Sequence, residues 1–453
     1  MRGARRIVLV ALLVVVAAAG GFIAVVAQPW QPHPSATKVL VRPGLVPALA
    51  PAGAAAPLPT STGLRRDLAP VLADPGLGPS VAAVVTDPMT GAVLYDRDGA
   101  LAVPPASTAK LATATAALLV LGPQRRITTR TVLVGPTVYL VGGGDPTLAG
   151  PAARPGYPGA ASLATLAEGT AGGLKARGVT AVHLAIDTSA YAGPVTAPGW
   201  KPVYLSAGDV APVTALEVDE GRIRPDDEDR VTDPPAAAAA AFAALLHQRG
   251  IRVAGPVRTA PAPTTAAHLA EVTSPTVAQL VQRMLTDSDN DLAEALARQV
   301  ARASGRSPTF AGGAAAVMAA VAPELHGASL RLADGSGLSV LDRASPRALA
   351  HLLAAAASPD RPQLRPILAG LPVAGLTGTL ADRYAGGPAA AARGVVRAKT
   401  GTLDGVSSLA GLAVDRDGRL LAFAVVADRA PYYLTAEAAL DRVAARIAGC
   451  GCR

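Results

Sequence analysis

Three apolar runs near the C-terminus, "GVVRAKTGT", "SSLAGLAVD" and "LLAFAVVAD" (within residues 394–428), constrain this chain more than any other feature. Each has strand length and is rich in β-branched or small apolar residues, and "RDG" turns the last two. Such runs in succession pair as antiparallel neighbours and need apolar cover. "TAEAALDRVAARIAG" (435–449), with helical spacing, can supply it. At the other end "LRRDLAPVLAD" (64–74) reads as a helix, and "SVAAVVTD" and "AVLYDRD" as two strands joined by "DPMTG". Two strands from the start and three from the end predict an α+β fold: one antiparallel five-stranded sheet flanked by helices and built from both ends of the chain. Whatever lies between must be inserted.

Residues 125–270 fit that insertion as an accessory domain, leaving 63–124 and 271–453 as the host domain. The insertion opens with strand-like "RTVLVG" and "TVYLVGGG" and continues through a helix and strand, "LAEGTAGGLKARG" and "AVHLAID". The acidic group Asp226-Asp227-Glu228-Asp229 lacks the spacing of a calcium loop and reads as a solvated turn. Ahead of the host domain, residues 28–62 are Pro- and Ala-rich and read as an extended linker. Ile7 to Ala27 carries no charge over 21 residues and directly follows Arg2, Arg5 and Arg6. It is long enough to span a bilayer, so the expectation is a signal-anchor in the cytoplasmic membrane with residues 1–6 inside and the rest extracytoplasmic. Val25-Val26-Ala27 offers a cleavage site, which would release the chain instead.

The net charge is +8, of which those three arginines supply three, leaving +5 from residue 28 onward. That balance is mild and dispersed, and aromatics make up 3%, so no nucleic-acid partner is expected. Cys450 and Cys452 stand as C-G-C three residues from the end; the expectation is two unpaired thiols on a frayed terminus. The six histidines are scattered, with no H-E-x-x-H pair and no G-x-S-x-G elbow, so neither a zinc peptidase nor a Ser-His-Asp hydrolase is indicated.

Residue scarcity points to the chemistry. Among 41 basic residues only five are lysine, Lys38, Lys110, Lys175, Lys201 and Lys399, and the chain has one asparagine, Asn290. A buried lysine can become a neutral base, whereas arginine keeps its proton. Lys110 lies in "PPASTAKLATATAALL", expected as a helix from about Ala106 to Leu121, where Ser107 and Lys110 share a face. A serine nucleophile beside an amine base is a workable pair, although S-x-x-K alone also describes a surface helix with one solvated lysine. Ser288-Asp289-Asn290 precedes the helix "LAEALARQVARA" and could be only a cap. Lys399-Thr400-Gly401, followed by Thr402, could be only a strand end. The ordered set S-x-x-K, S-D-N, K-T-G arises by chance far more rarely than any of its parts, and it contains two of the five lysines and the sole asparagine.

In this set the chain resembles the penicillin-binding D-alanyl-D-alanine carboxypeptidases and endopeptidases, in particular the class C low-molecular-mass enzymes with a large insertion. Ser107 and Ser288 stand 181 residues apart, further than in class A β-lactamases, and no Glu-x-x-Leu-Asn motif is present. "YLVGGGDPTL", "DGSGLS", "GLTGTL" and "AKTGTLDGVSSLAG" add to the likeness, which covers residues 64–447. The resemblance implies a penicillin-binding, β-lactamase-like transpeptidase domain with an inserted accessory domain, acting on peptidoglycan stem peptides ending in D-Ala-D-Ala, acylated by β-lactams and needing no cofactor or metal. It implies that Ser107 is the nucleophile, Lys110 its base and Ser288 the proton carrier, and that Asn290, Lys399, Thr400, Gly401 and Thr402 bind substrate. A β-lactamase, or a non-catalytic peptidoglycan-binding protein on the same fold, remains the alternative.

Overall fold

The computed structural model describes residues 56–151, 161–224 and 228–452. The expected stub, the apolar run 7–27, the linker as far as residue 55, and Asp226 and Asp227 of the acidic group lie outside the described residues. Among the described residues no helix is long and apolar enough to cross a membrane.

Helix α1 (Ser61–Leu72) is capped by Thr60, whose hydroxyl accepts from Gly63 N. Strands β1 (Ser80–Thr86) and β2 (Val93–Arg97) follow, then a 3-10 turn (Ala106–Ala109) running into α2 (Lys110–Val120). The middle of the chain forms β3 (Thr128–Val134), β4 (Thr137–Val141), α3 (Leu163–Lys175), β5 (Ala181–Asp187) and α4 (Pro234–Gln248). The short β6 (Arg252–Val253) and β7 (Arg258–Thr259) lead to β8 (Ala267–Thr273). Then come α5 (Val277–Thr286), α6 (Asn290–Ala303), α7 (Phe310–Val321) and α8 (Pro346–Ala357). The chain closes with β9 (Val396–Leu403), β10 (Val406–Val414), β11 (Leu420–Asp428) and α9 (Tyr433–Ala448).

The five-stranded sheet has the order β9-β10-β11-β1-β2 and every pairing is antiparallel, as the strand pattern required. β10 and β11 are buried on both faces, which is why those runs are apolar without alternation. One face, with Val85, Leu409, Phe423 and Val425, packs on Leu64 and Leu68 of α1 and Leu440 and Val443 of α9. Burying Phe423 alone contributes roughly 1.5–3 kcal/mol. The opposite face carries the smaller Ala82, Ala410, Ala422 and Ala424, and α8 packs against β1 and β11 there.

Between β2 and β9 the chain builds a second, mixed sheet in the order β6-β5-β4-β3-β8, with β7 also pairing β5. The β4–β5 pair is parallel, and α3 and α4 cover it through Leu166, Leu174, Phe242 and Leu246. β3 and β8 run side by side with Thr128 opposite Thr273, so the segment leaves and rejoins the rest of the fold at neighbouring points. After β5 the chain turns back: Tyr191, Ala197, Tyr204 and Val213 pack on Phe310 and Leu338, and Trp200 meets Phe310 edge-on at 5.3 Å.

The C-terminal cysteines correct the expectation of unpaired thiols on a frayed end. Cys450 and Cys452 form a disulfide, with Cα atoms 5.1 Å apart, inside the range such a bridge spans. Both are buried, and Thr60 N donates to Cys452 O at 2.8 Å, so the terminus is tied to the start of α1.

Candidate active site

The opening serine lies in a tighter turn than expected. Ser107 sits in the 3-10 turn, and only at Lys110 does the α-helix begin. A 3-10 turn eclipses residues three apart, so Ser107 and Lys110 stand one over the other and Lys110 Nζ donates to Ser107 Oγ at 2.9 Å. The preceding Ala106 is fully buried with φ +50, a left-handed backbone that costs a non-glycine residue roughly 1–3 kcal/mol. Gly337 lets this turn fit: with φ +85, a Cβ there would fall 2.1 Å from Ala106 O.

Lys110 also donates to Asn290 Oδ1 at 2.6 Å and to Ser336 O at 2.8 Å, and its side chain has no solvent exposure. Burial brings its pKa down to about 8, working against the carboxylates of Asp334 and Glu294, which favour the charged form. A usable fraction of neutral amine therefore exists near neutral pH, which arginine could not offer.

The S-D-N segment serves as both cap and site. Asp289 is the N-cap of α6 and accepts from Leu292 N at 2.8 Å, so the capping interpretation holds for that residue. Ser288, held at φ +60, and Asn290, the first helical residue, turn toward the two lysines. Lys399 Nζ donates to Ser288 Oγ at 2.8 Å and to Thr400 O at 2.9 Å. Lys399 is fully buried, and burial followed by the charge of Lys110 pushes its pKa well below the ordinary lysine range. Asn290 Nδ2 donates to Asp209 O at 2.8 Å.

The K-T-G residues lie within β9, an edge strand, and run on to Thr402. Gly401 allows β9 to press against the turn that carries Ser107: a Cβ there would sit 3.0 Å from Ser107 N and 2.4 Å from Ser408 Oγ. Thr400 Oγ1 and Thr379 Oγ1 share a hydrogen bond of 2.8 Å, and Thr402 Oγ1 donates to Glu437 Oε1 at 3.1 Å. A cleft of about 470 Å³ opens over the site, lined by Ser107, Asn290 and Thr402, with Asp209, Tyr204 and Tyr432 around them. Lys110, Ser288, Lys399 and Thr400 stand behind that lining, and the structure brings all eight expected residues into one constellation.

Several supporting residues were not foreseen. Glu294 accepts from Gly335 N at 3.0 Å and Ser336 N at 2.8 Å, presenting Ser336 O to Lys110; burial and then the charge of Asp334 push Glu294 up to about 8. Asp334 accepts from Gly337 N, Ser339 N and Trp200 Nε1, each at 2.7 Å. Arg298 is 1% exposed and donates to Ala192 O, Pro194 O and Pro308 O, with its guanidinium 4.2 Å from the Phe310 ring centre. The signal was present in "NDLAEALARQVAR": Asn290, Glu294, Arg298 and Arg302 recur every four residues, a polar stripe on a helix whose centre is wholly buried. "DGSGLS" and "GLTGTL" contain Asp334, Ser336 and Thr379.

Residues 64–229 and 228–447 match the D-Ala-D-Ala carboxypeptidase 3 (S13) family. The chain belongs to that family. It is a D-Ala-D-Ala carboxypeptidase, a hydrolase. It is 39% identical to a carboxypeptidase of Mycobacterium tuberculosis over 96% of its own length and 92% of the relative's. It is 38% identical to carboxypeptidase DacB of Mycolicibacterium smegmatis, covering 90% and 88% of the two chains. Penicillin binding protein 4 (dacB) of Haemophilus influenzae shares the fold with a TM-score of 0.69 at 23% identity, over 83% of this chain and 97% of that one. The α+β architecture with an antiparallel sheet flanked by helices is the one the sequence predicted.

Proposed function

We propose that this carboxypeptidase works through an acyl-enzyme on Ser107, and that one observation carries the assignment: a fully buried Lys110 whose Nζ bonds both Ser107 Oγ and Asn290 Oδ1. Neutral Lys110 accepts the proton of Ser107 Oγ as the oxygen bonds to the carbonyl carbon of the penultimate D-alanine. The backbone N–H groups of Ser107 and Thr402 receive the oxyanion. As the C–N bond breaks, Ser288 passes a proton to the departing D-alanine amine and is resupplied through Lys399, its partner at 2.8 Å. Asn290 holds the substrate backbone. Thr400 and Thr402, backed by Lys399 and seated by the close approach at Gly401, draw the terminal carboxylate. The proton that Lys110 took from Ser107 passes by way of solvent to Lys399, replacing the one given up through Ser288. Water then hydrolyses the ester, its hydroxide going to the acyl carbon and its proton to Ser107 Oγ, which restores Ser107.

A β-lactam amide presented to Ser107 would be opened by the same steps. Ser107→Ala is expected to abolish both labelling by a fluorescent penicillin and D-alanine release from a pentapeptide; labelling that persists would overturn the assignment. Digestion of purified muropeptides separates terminal trimming from cross-link cleavage, since loss of D-alanine and loss of dimers are distinct products.

Residues 63–124 with 271–453 act as the catalytic domain in this reading and 125–270 as an accessory domain, supported by the adjacency of Thr128 and Thr273. The run 7–27 anchors the chain in the cytoplasmic membrane, with the catalytic domain on the peptidoglycan side. Alkaline carbonate extraction tests this: release of the full chain into the soluble fraction would refute an integral anchor.

A further inference from the structure

A second concavity, larger than the catalytic cleft at about 620 Å³ and sharing no lining residue with it, opens where the second sheet meets the far end of α6. Arg125, Arg126 and Arg130 line one side of it; Arg302 and Arg306 come from the other, beyond Gln299. The chain segments that carry them are fixed: Val277 N donates to Arg125 O at 2.8 Å, and Arg306 N donates to Ala301 O at 2.8 Å. Arg126 reaches Ser274 O at 2.7 Å, and Arg302 reaches Gln299 Oε1 at 3.1 Å and Gly143 O at 3.4 Å.

Five arginines line one hollow, and their like charges repel one another unless an anion sits among them. Among the described residues none of the five has a carboxylate within ion-pair distance. Asp187 also lines the hollow, accepting from Ser189 N at 2.9 Å and Ala262 N at 2.8 Å; its single negative charge offsets one of the five arginines and leaves the lining strongly positive. Glu271 lies across the strand pair from Arg130, yet its carboxylate is 3.5 Å from His268 and does not line the hollow.

We propose that this cleft binds a phosphodiester-linked polyol or sugar-phosphate chain, a polyanion of the surroundings in which the enzyme meets its substrate. The planar fork of arginine matches phosphate oxygens two at a time, and five such forks on two sides accommodate more than one phosphate in succession. The lining contains no aromatic residue, so bases would have nothing to stack on, and a nucleic acid is disfavoured. The arginines face a concavity, whereas a bilayer surface calls for a flat or convex basic face. Asn290 and Arg302 are twelve residues apart on α6, about 18 Å along its axis at the usual helical rise. A polymer held there raises the effective concentration of any stem peptide attached to the same wall fragment at the catalytic cleft.

The test uses the full chain in detergent micelles and a hexameric glycerol-phosphate oligomer as probe. Arg125→Gln/Arg302→Gln/Arg306→Gln is expected to weaken binding at least tenfold and to flatten its dependence on salt concentration by roughly two to three in log–log slope. The control Arg65→Gln/Arg258→Gln/Arg331→Gln, exposed arginines elsewhere, should stay within twofold of the parent. Penicillin labelling and D-alanine release from a soluble pentapeptide should be equal in all three proteins, which separates this proposal from the assignment of Ser107. The proposal is overturned if the parent does not bind the oligomer, if the control loses as much as the cleft variant, or if a single-stranded oligonucleotide or anionic phospholipid vesicles bind more tightly than the oligomer.

Discussion

The two walls of the catalytic cleft are held in place by opposite means. On the strand side the contact is close steric fit: β9 approaches the Ser107 turn at Gly401, and Gly337 closes on Ala106 O, with Ser408 Oγ donating to Pro105 O at 2.8 Å. On the side of Ser288 the support is charge. Arg283 pairs with Glu220 and lies 3.8 Å from Asp289; Asp291 accepts from Ala211 N at 2.8 Å and lies 3.7 Å from Arg230. Glu217, buried beside them, is pushed well above the carboxylate range by burial and then by the charge of Asp291. A wall fixed by steric fit tolerates no added atom, whereas a wall fixed by buried ions tolerates no missing partner.

The largest expected effect sharpens what both walls exist to hold. Lys110→Arg should lower kcat/KM for pentapeptide hydrolysis about a thousandfold, the order of a lost general base. Normal turnover by this variant would make Lys110 a structural cation. Gly401→Ala tests the steric wall directly: its Cβ would meet Ser107 N and Ser408 Oγ, and displacing the nucleophile turn should cost about a hundredfold in acylation rate. Penicillin acylation as fast as in the parent would show that the close approach is not required.

Arg283→Met tests the charged wall. It leaves Glu220 buried with its main partner gone, and since Arg283 is itself partly exposed the expected loss is about 2 kcal/mol in urea unfolding. Arg283→Met/Glu220→Leu should recover most of that loss; a double variant no more stable than the single one would assign the effect to packing. The last effect is graded: in the proposed mechanism the neutral amine of Lys110 is the reactive form, so kcat/KM should rise close to tenfold per pH unit below about 8 and level off above it. A profile that is flat between pH 6 and 9 would place the base elsewhere.

The unequal legibility of the two walls has the same origin. The strand side was visible because K-T-G and S-x-x-K are compact motifs on elements whose period can be counted. On the charged side only Ser288, Asp289 and Asn290 were visible, because their partners come from a distant part of the chain: Asp209, Ala211 and Glu220 all lie in the segment between β5 and α4. Single carboxylates and carbonyls carry no mark in a sequence until the fold sets them opposite a cation.

By itself the sequence determined the sheet, the order of the three motifs, and the choice of lysine over the prevalent arginine, because strand periodicity and a side chain's acid–base chemistry are local properties. Only the tertiary structure decided which lysine bonds which serine, that Glu294 and Arg298 extend the stripe begun by Asn290, that Tyr204 and Asp209 wall the cleft, and that Cys450 and Cys452 are joined. The physical reason is burial: whether a buried charge is neutral, paired or inert depends on the water removed and the partner supplied, and both come from residues far away in the chain.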